Sequence, residues 1–311
     1  MSGKTLRVPR AVMRLGARQL GRRCLDAALP WPVQRTRLNQ LTAMALMPRG
    51  TTVGEQTVGG VRAEVVTART AQTARPQVTV VHFHGGGYCV GSARTARSWA
   101  AHLSAATGCR VVLPEYRLAP EHPHPAALED ARAVVGALSG EVAAGQLVLS
   151  GDSAGGGLAL ALLLALRDEG AELPAGCILL SPWLDLGRDR RADPDLVRRD
   201  VLLNPDWLEA CARAYAEPAA WADSRVSPLH AAHDRLAPLL IQAGTDELLA
   251  PDSELLAASA AAAKVDVTYT KWPGLWHDFT LQPGMLAAAD SAVEQAAWFV
   301  GKVTAGQGVA A

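Results

Sequence analysis

Residues 147–166 read LVLSGDSAGGGLALALLLAL. A short apolar run ends at Ser150, the chain turns through Gly151-Asp152-Ser153-Ala154-Gly155, and a longer apolar stretch of helical length follows. Strand, tight turn and helix in that order make a G-x-S-x-G elbow, which holds the central serine hydroxyl out over the end of a sheet. The flanking glycines let neighbouring backbone crowd the turn with no Cβ in the way. The plainer alternative is a glycine-rich helix N-terminus, and the apolar strand before it argues for the elbow. A phosphate-binding loop is excluded, because no G-K-[ST] ending is present to hold phosphate and metal.

The surrounding chain has the alternation that such an elbow requires. Apolar runs QVTVVHF, CRVVLPEY, QLVLSG, GCILLS, PLLIQAG and VDVTYTKW alternate with helical patterns at 95–107, 125–139, 155–168, 252–263 and 286–302. A hairpin is expected near 57–68, turning at Gly59-Gly60. Near-continuous apolar strands separated by helices predict an α/β fold, with a mostly parallel central sheet and helices on both faces. In such sheets the chemistry collects at the carboxyl ends of the strands.

Two regions depart from the alternation. Residues 1–50 are expected to form an N-terminal helical cap segment, beginning with an amphipathic helix that has Val12, Met13, Leu15 and Leu20 on one side. Residues 51–311 are the expected catalytic domain, interrupted at about 187–228 by an insertion whose helix starts at Asn204 (N-cap) and Pro205. Together the two would cover the strand ends as a helical cap. The Ala/Gly tail after Lys302 is expected to fray.

With 30 basic and 30 acidic residues among 311, the chain has no charge excess to suggest a nucleic-acid partner. The first thirty residues lack an apolar signal-peptide core, and the run LALALLLAL is too short to span a bilayer. The five cysteines have no metal-ligand spacing, and their odd number suggests reduced thiols. A cytoplasmic protein without metal or cofactor is the expectation.

A serine hydroxyl needs a base, and the base an orienting acid. Of eight histidines, His277 alone follows a strand through a Pro-Gly turn near the end of the chain. His82 lies inside a strand, and His84 is expected to brace the glycine run HGGG at 84–87. For the acid, Asp246 directly follows the strand PLLIQAG, and Ser153, Asp246, His277 obeys the order serine, acid, histidine. Glu247 and Asp252 are rivals, the latter with the look of a helix N-cap. Asp278, adjacent to His277, is not expected to orient it.

HGGGY, YRLAPEHPHPAALEDA, GDSAGGGLA, GTDELL and WPGLWHDF occur in that order over roughly residues 75–300. This series resembles the hormone-sensitive-lipase-like family of α/β-hydrolases, bacterial esterases with HGGG upstream of GDSAGG. The acid motif is similar to that of actinobacterial esterases and monoterpene lactone hydrolases, and departs from the commoner D-P-L-x-D form. Asp278 stands where the family usually has glycine.

The resemblance implies an α/β-hydrolase fold and hydrolysis of short to medium acyl esters through an acyl-enzyme on Ser153. The oxyanion would be held by the N–H groups of Gly86 and Gly87 and by that of Ala154, the residue after the nucleophile. A small-molecule ester or lactone is the expected partner, and a homodimer is compatible with the sequence. Lactone hydrolysis, acyl transfer, or a ligand-binding role on a retired scaffold are the alternatives. Trp183, Trp207, Leu208, Trp221 and Trp276 would supply an apolar pocket.

Overall fold

The computed structural model describes residues 7–68 and 78–305. Residues 1–6 of the N-terminal segment and 306–311 of the tail expected to fray lie outside the described residues.

Among the described residues, eight strands form one sheet in the order β1-β2-β4-β3-β5-β6-β7-β8. The strands are β1 (Thr51–Val58), β2 (Val61–Ala68), β3 (Thr79–Phe83), β4 (Arg110–Pro114), β5 (Leu147–Asp152), β6 (Gly176–Leu180), β7 (Leu239–Gly244) and β8 (Val267–Trp272). The hairpin β1–β2 joins β4 antiparallel, and all pairings from β4 through β8 are parallel. Among the described residues ten α-helices accompany them: α1 (Arg10–Gly16), α2 (Arg22–Cys24), α3 (Trp31–Thr42), α4 (Ala93–Thr107), α5 (Ala126–Ser139), α6 (Ser153–Asp168), α7 (Pro194–Arg199), α8 (Pro205–Tyr215), α9 (Ala250–Ala262) and α10 (Ala287–Thr304). A π-helical turn (Ala17–Gly21) links α1 to α2.

Side chains alternate across the sheet, and each face has its own core. Val80, Val111, Val148, Ile178 and Leu240 pack with Trp99 of α4 and Phe299 of α10. Their neighbours Val81, Val112, Leu149, Leu179 and Ile241 point to the other face, against Leu128, Val134 and Leu160. With both faces covered, a parallel strand has no reason to carry polar residues, which is why these runs read as continuously apolar. Helix α6 is buried from Ser153 through Leu164, so LALALLLAL shows no polar stripe.

Helix α1 lies over the loops that follow β7 and β8, and α3 over those that follow β3 and β4, with arginines holding both in place. Val12, Leu15 and Leu20 are 56, 57 and 49% exposed, so most of the expected apolar side is not buried; Met13 is half-buried against the cluster that contains Trp276 and Phe279. Arginines make the attachment. Arg10 donates to the Gly274 carbonyl, Arg14 to the Arg199 carbonyl at 2.7 Å, and Arg22 to the Asp200 carbonyl at 2.6 Å. On α3, Arg35 donates to the carbonyls of Cys89 (2.8 Å) and Ala119 (2.9 Å). The surface beneath is made of loop backbone with exposed carbonyl oxygens, which guanidinium groups satisfy and leucines cannot.

The insertion between β6 and β7 is anchored in the same polar manner. Asn204 caps α8 through its Oδ1, which accepts from Trp207 N at 2.8 Å, with Pro205 in the first turn. Asp252 is no N-cap. It is fully buried, accepts from Leu184 N (3.0 Å) and Asp185 N (3.1 Å), and pairs with Arg190 at 2.8 Å.

Candidate active site

Ser153 sits at the end of β5, where the sheet hands over to α6, and its φ is +53°. That left-handed conformation is costly for serine and is stabilised here by interlocked backbone. A Cβ at Gly151 would drive into the Gly155 carbonyl, and one at Gly155 into the Phe83 carbonyl at the end of β3. Gly155→Ala is therefore expected to destabilise the fold by about 3 kcal/mol or more, read as a lowered urea midpoint.

His277 lies on the loop after β8, and its Nε2 is 2.9 Å from Ser153 Oγ. The loops after β7 and β8 are laced together. Thr245 N donates to Trp272 O (3.0 Å), Asp246 N to Leu275 O (2.9 Å), and Gly274 N to Thr245 Oγ1 (2.7 Å). This lacing sets the height of His277 over Ser153. It also turns Glu247 inward: its Oε2 is 3.4 Å from His277 Nδ1 and accepts from Ser181 Oγ at 2.7 Å, and the residue is fully buried. Asp200 of the insertion braces the turn from behind, accepting from Leu248 N at 2.8 Å.

The glycine loop after β3 is fastened to the elbow by Asp152. One carboxylate oxygen meets His82 Nε2 and the other accepts from Gly85 N, each at 2.9 Å. His82 Nδ1 in turn meets Ser150 Oγ at 2.9 Å. His84 Nδ1 is 2.8 Å from the Gly85 carbonyl, and Tyr116 Oη donates to the His84 carbonyl at 2.6 Å. Gly85 thus spends its N–H on Asp152. Gly86 and Gly87, with φ of +116° and +60°, donate to no acceptor among the described residues. Ala154 is the second residue of α6, where backbone N–H groups have no intrahelical acceptor. These donors, a serine and a buried imidazole with a carboxylate behind it can together stabilise a tetrahedral oxyanion.

Residues 80–281 match the family described by the alpha/beta hydrolase fold, a span covering most of the sheet and the whole elbow. The chain belongs to this α/β-hydrolase family. An acetyl-hydrolase of Streptomyces hygroscopicus is 36% identical over 77% of this chain and 82% of its own length. An esterase of Acinetobacter venetianus is 34% identical over 82% of this chain and 84% of its own. Among solved structures, an esterase of the bacterial hormone-sensitive lipase family superposes with a TM-score of 0.86 at 31% identity, covering 96% of this chain and all of the other.

In this hydrolase the acid expected at Asp246 is not at His277. The Asp246 side chain points to the rim, 3.0 Å from Arg14 and 3.5 Å from Arg199, and the carboxylate behind the imidazole is the next residue, Glu247. Both residues lie in the turn after β7, where strand alternation no longer decides which side chain faces inward. The lacing to Leu275 selects Glu247, a choice not written in the local sequence. Burial pushes the Glu247 carboxyl up, while His277 and the Ser181 hydroxyl pull it back.

The hydrolase also holds residues that motif reading passes over. His82 and Asp152 fasten the glycine loop, and Ser181 donates to Glu247. Of the expected pocket residues, Trp183, Leu208 and Trp221 line a cavity of about 210 Å³ together with Arg188 and Arg190. Trp276 is fully buried, and Trp207 spends its Nε1 on Gln34 Oε1 at 2.8 Å. Ser153 and His277 do not line that cavity and are only 3% and 2% exposed. Above the glycine loop, the edge of α8 is so close that a Cβ at Gly87 would lie 2.6 Å from Cys211 Sγ. Among the described residues no helix is long and apolar enough to cross a membrane.

Proposed function

We propose that the protein is a carboxylic ester hydrolase working through an acyl-enzyme on Ser153. The observation that carries this reading is the 2.9 Å contact of Ser153 Oγ with His277 Nε2 at the mouth of a donor set that includes the unengaged Gly86 and Gly87 N–H groups. Ser153 Oγ attacks the ester carbonyl as its proton passes to His277 Nε2. The carbonyl oxygen becomes an oxyanion held by Gly86, Gly87 and Ala154 N–H, each such donor worth about 3 kcal/mol. Collapse expels the alcohol, which takes the proton from Nε2, and water then repeats the sequence to release the acid. Glu247 holds the imidazole tautomer with Nδ1 protonated and stabilises its charged form.

Short acyl groups are the proposed substrates, in keeping with relatives named acetyl-hydrolase and esterase. The N-terminal helices and the insertion act as a cap over the site, which is nearly closed to solvent as it stands.

The test combines turnover with labelling. The protein is expected to hydrolyse p-nitrophenyl butyrate, and diethyl p-nitrophenyl phosphate should abolish that activity while releasing one equivalent of p-nitrophenolate. Peptide mass analysis should place the phosphoryl group on Ser153. Hydrolysis at the buffer rate, or a label on another residue, would overturn the proposal.

A further inference from the structure

The imidazole of His277 lies between two carboxylates, where the proposed mechanism uses one. Glu247 Oε2 is 3.4 Å from Nδ1, and Asp278 Oδ2 is 3.2 Å from Nε2, the same nitrogen that meets Ser153 Oγ. Asp278 has φ +55°, and its N–H is 3.3 Å from the Ser181 hydroxyl that supports Glu247. Its Oδ1 is buried and has no hydrogen-bond partner among the described residues.

We infer that Asp278 is a positioning residue that retains a proton at His277 Nε2 and thereby sets the pH at which the base becomes free. This rests on the reading of Ser153 and His277 as nucleophile and base. With Nδ1 protonated toward Glu247, a neutral imidazole presents only a lone pair at Nε2. A lone pair facing an ionised carboxylate at 3.2 Å is repulsive, so that short approach is favourable only with a proton between the two atoms. While that proton is present, Nε2 cannot accept the one from Ser153.

The groups facing this pair act in the same direction. Asp152 at the end of β5 and Glu247 in the loop after β7 act on Asp278, and Asp200 of the insertion acts on His277. His277 is the only cationic group within ion-pair distance of Asp278 among the described residues. Burial pushes the Asp278 carboxyl up to about 7, with Asp152 and Glu247 adding to the rise against the pull of His277. Burial alone would lower His277, but Asp278 and then Glu247 outweigh it and hold the imidazole well above its ordinary value. The two side chains titrate as a coupled pair.

The sign of the effect follows. Activity requires neutral His277, so it rises with pH through the pKa of the base. Removing a negative neighbour destabilises the imidazolium, lowers that pKa and moves the acid limb to lower pH. Asn and Gly both tolerate a left-handed φ, so Asp278→Asn and Asp278→Gly keep the turn while deleting the charge.

The experiment is the pH profile of kcat/KM for p-nitrophenyl butyrate over roughly pH 5–9, for the wild type and both variants. Both variants are expected to show the acid limb at least about one unit lower, with the plateau retained within about tenfold. A limb that does not move in either variant, while Ser153 still takes the organophosphate label, would overturn this inference and leave the esterase reading standing. Failure of the wild type to label at Ser153 would remove that reading, and the inference with it.

Discussion

Ser153→Ala is expected to lower kcat for p-nitrophenyl butyrate by about 10⁵-fold, leaving a residue of activity above the uncatalysed rate. Alanine removes Oγ and with it the covalent route, but the oxyanion donors of the glycine loop and α6 remain. KM should change little, since the hydroxyl forms its bond to substrate only on the way to the transition state. Alanine at this turn keeps the Cβ that Ser153 already carries at φ +53°, so the thermal midpoint should stay near that of the wild type. Turnover within tenfold of wild type in that variant would exclude the acyl-enzyme.

The second large effect separates two neighbouring carboxylates. Glu247→Gln is expected to lower kcat by about 10⁴-fold, whereas Asp246→Asn should leave it within about threefold. Glutamine cannot stabilise the imidazolium, and its amide can present N–H to Nδ1, which favours the wrong tautomer. Asp246 lies on the rim with Arg14 and Arg199 at side-chain exposures of 29 and 49%, a setting in which an ion pair contributes at most about 1 kcal/mol. Steady-state kinetics on the two variants side by side are the measurement. The reverse ranking would return the acid to Asp246 and require the loop after β7 to turn over.

Most of the fold was legible in the sequence. Apolar runs of strand length separated by helical patterns produced β3 through β8 and helices α4, α5, α6, α9 and α10 within a few residues. The reason is physical: a two-sided parallel sheet leaves little freedom in what its strands are made of, and the elbow marks where the central one ends. The N-terminal helices were legible as helices but not in their docking. Val12, Leu15 and Leu20 of the first helices face solvent and arginines attach them, because what lies beneath is loop backbone.

Where chain position and chemistry coincide, as at Ser153 and His277, residue type and order sufficed to bring the pair forward. They did not suffice for the carboxylate beside the imidazole. Asp246 and Glu247 are adjacent carboxylates of similar chemistry, and contacts made across the fold by Thr245, Asp246, Leu248 and Ser181 turn Glu247 toward the imidazole. The same holds for Asp278, which sequence distance alone set aside and which a single left-handed residue brings to 3.2 Å of Nε2. Composition and order along the chain determined the sheet, the elbow and the candidate pair Ser153 and His277, because those depend on local periodicity and residue chemistry. Which carboxylates surround the base was settled by long-range backbone contacts between loops, which no window of the sequence contains.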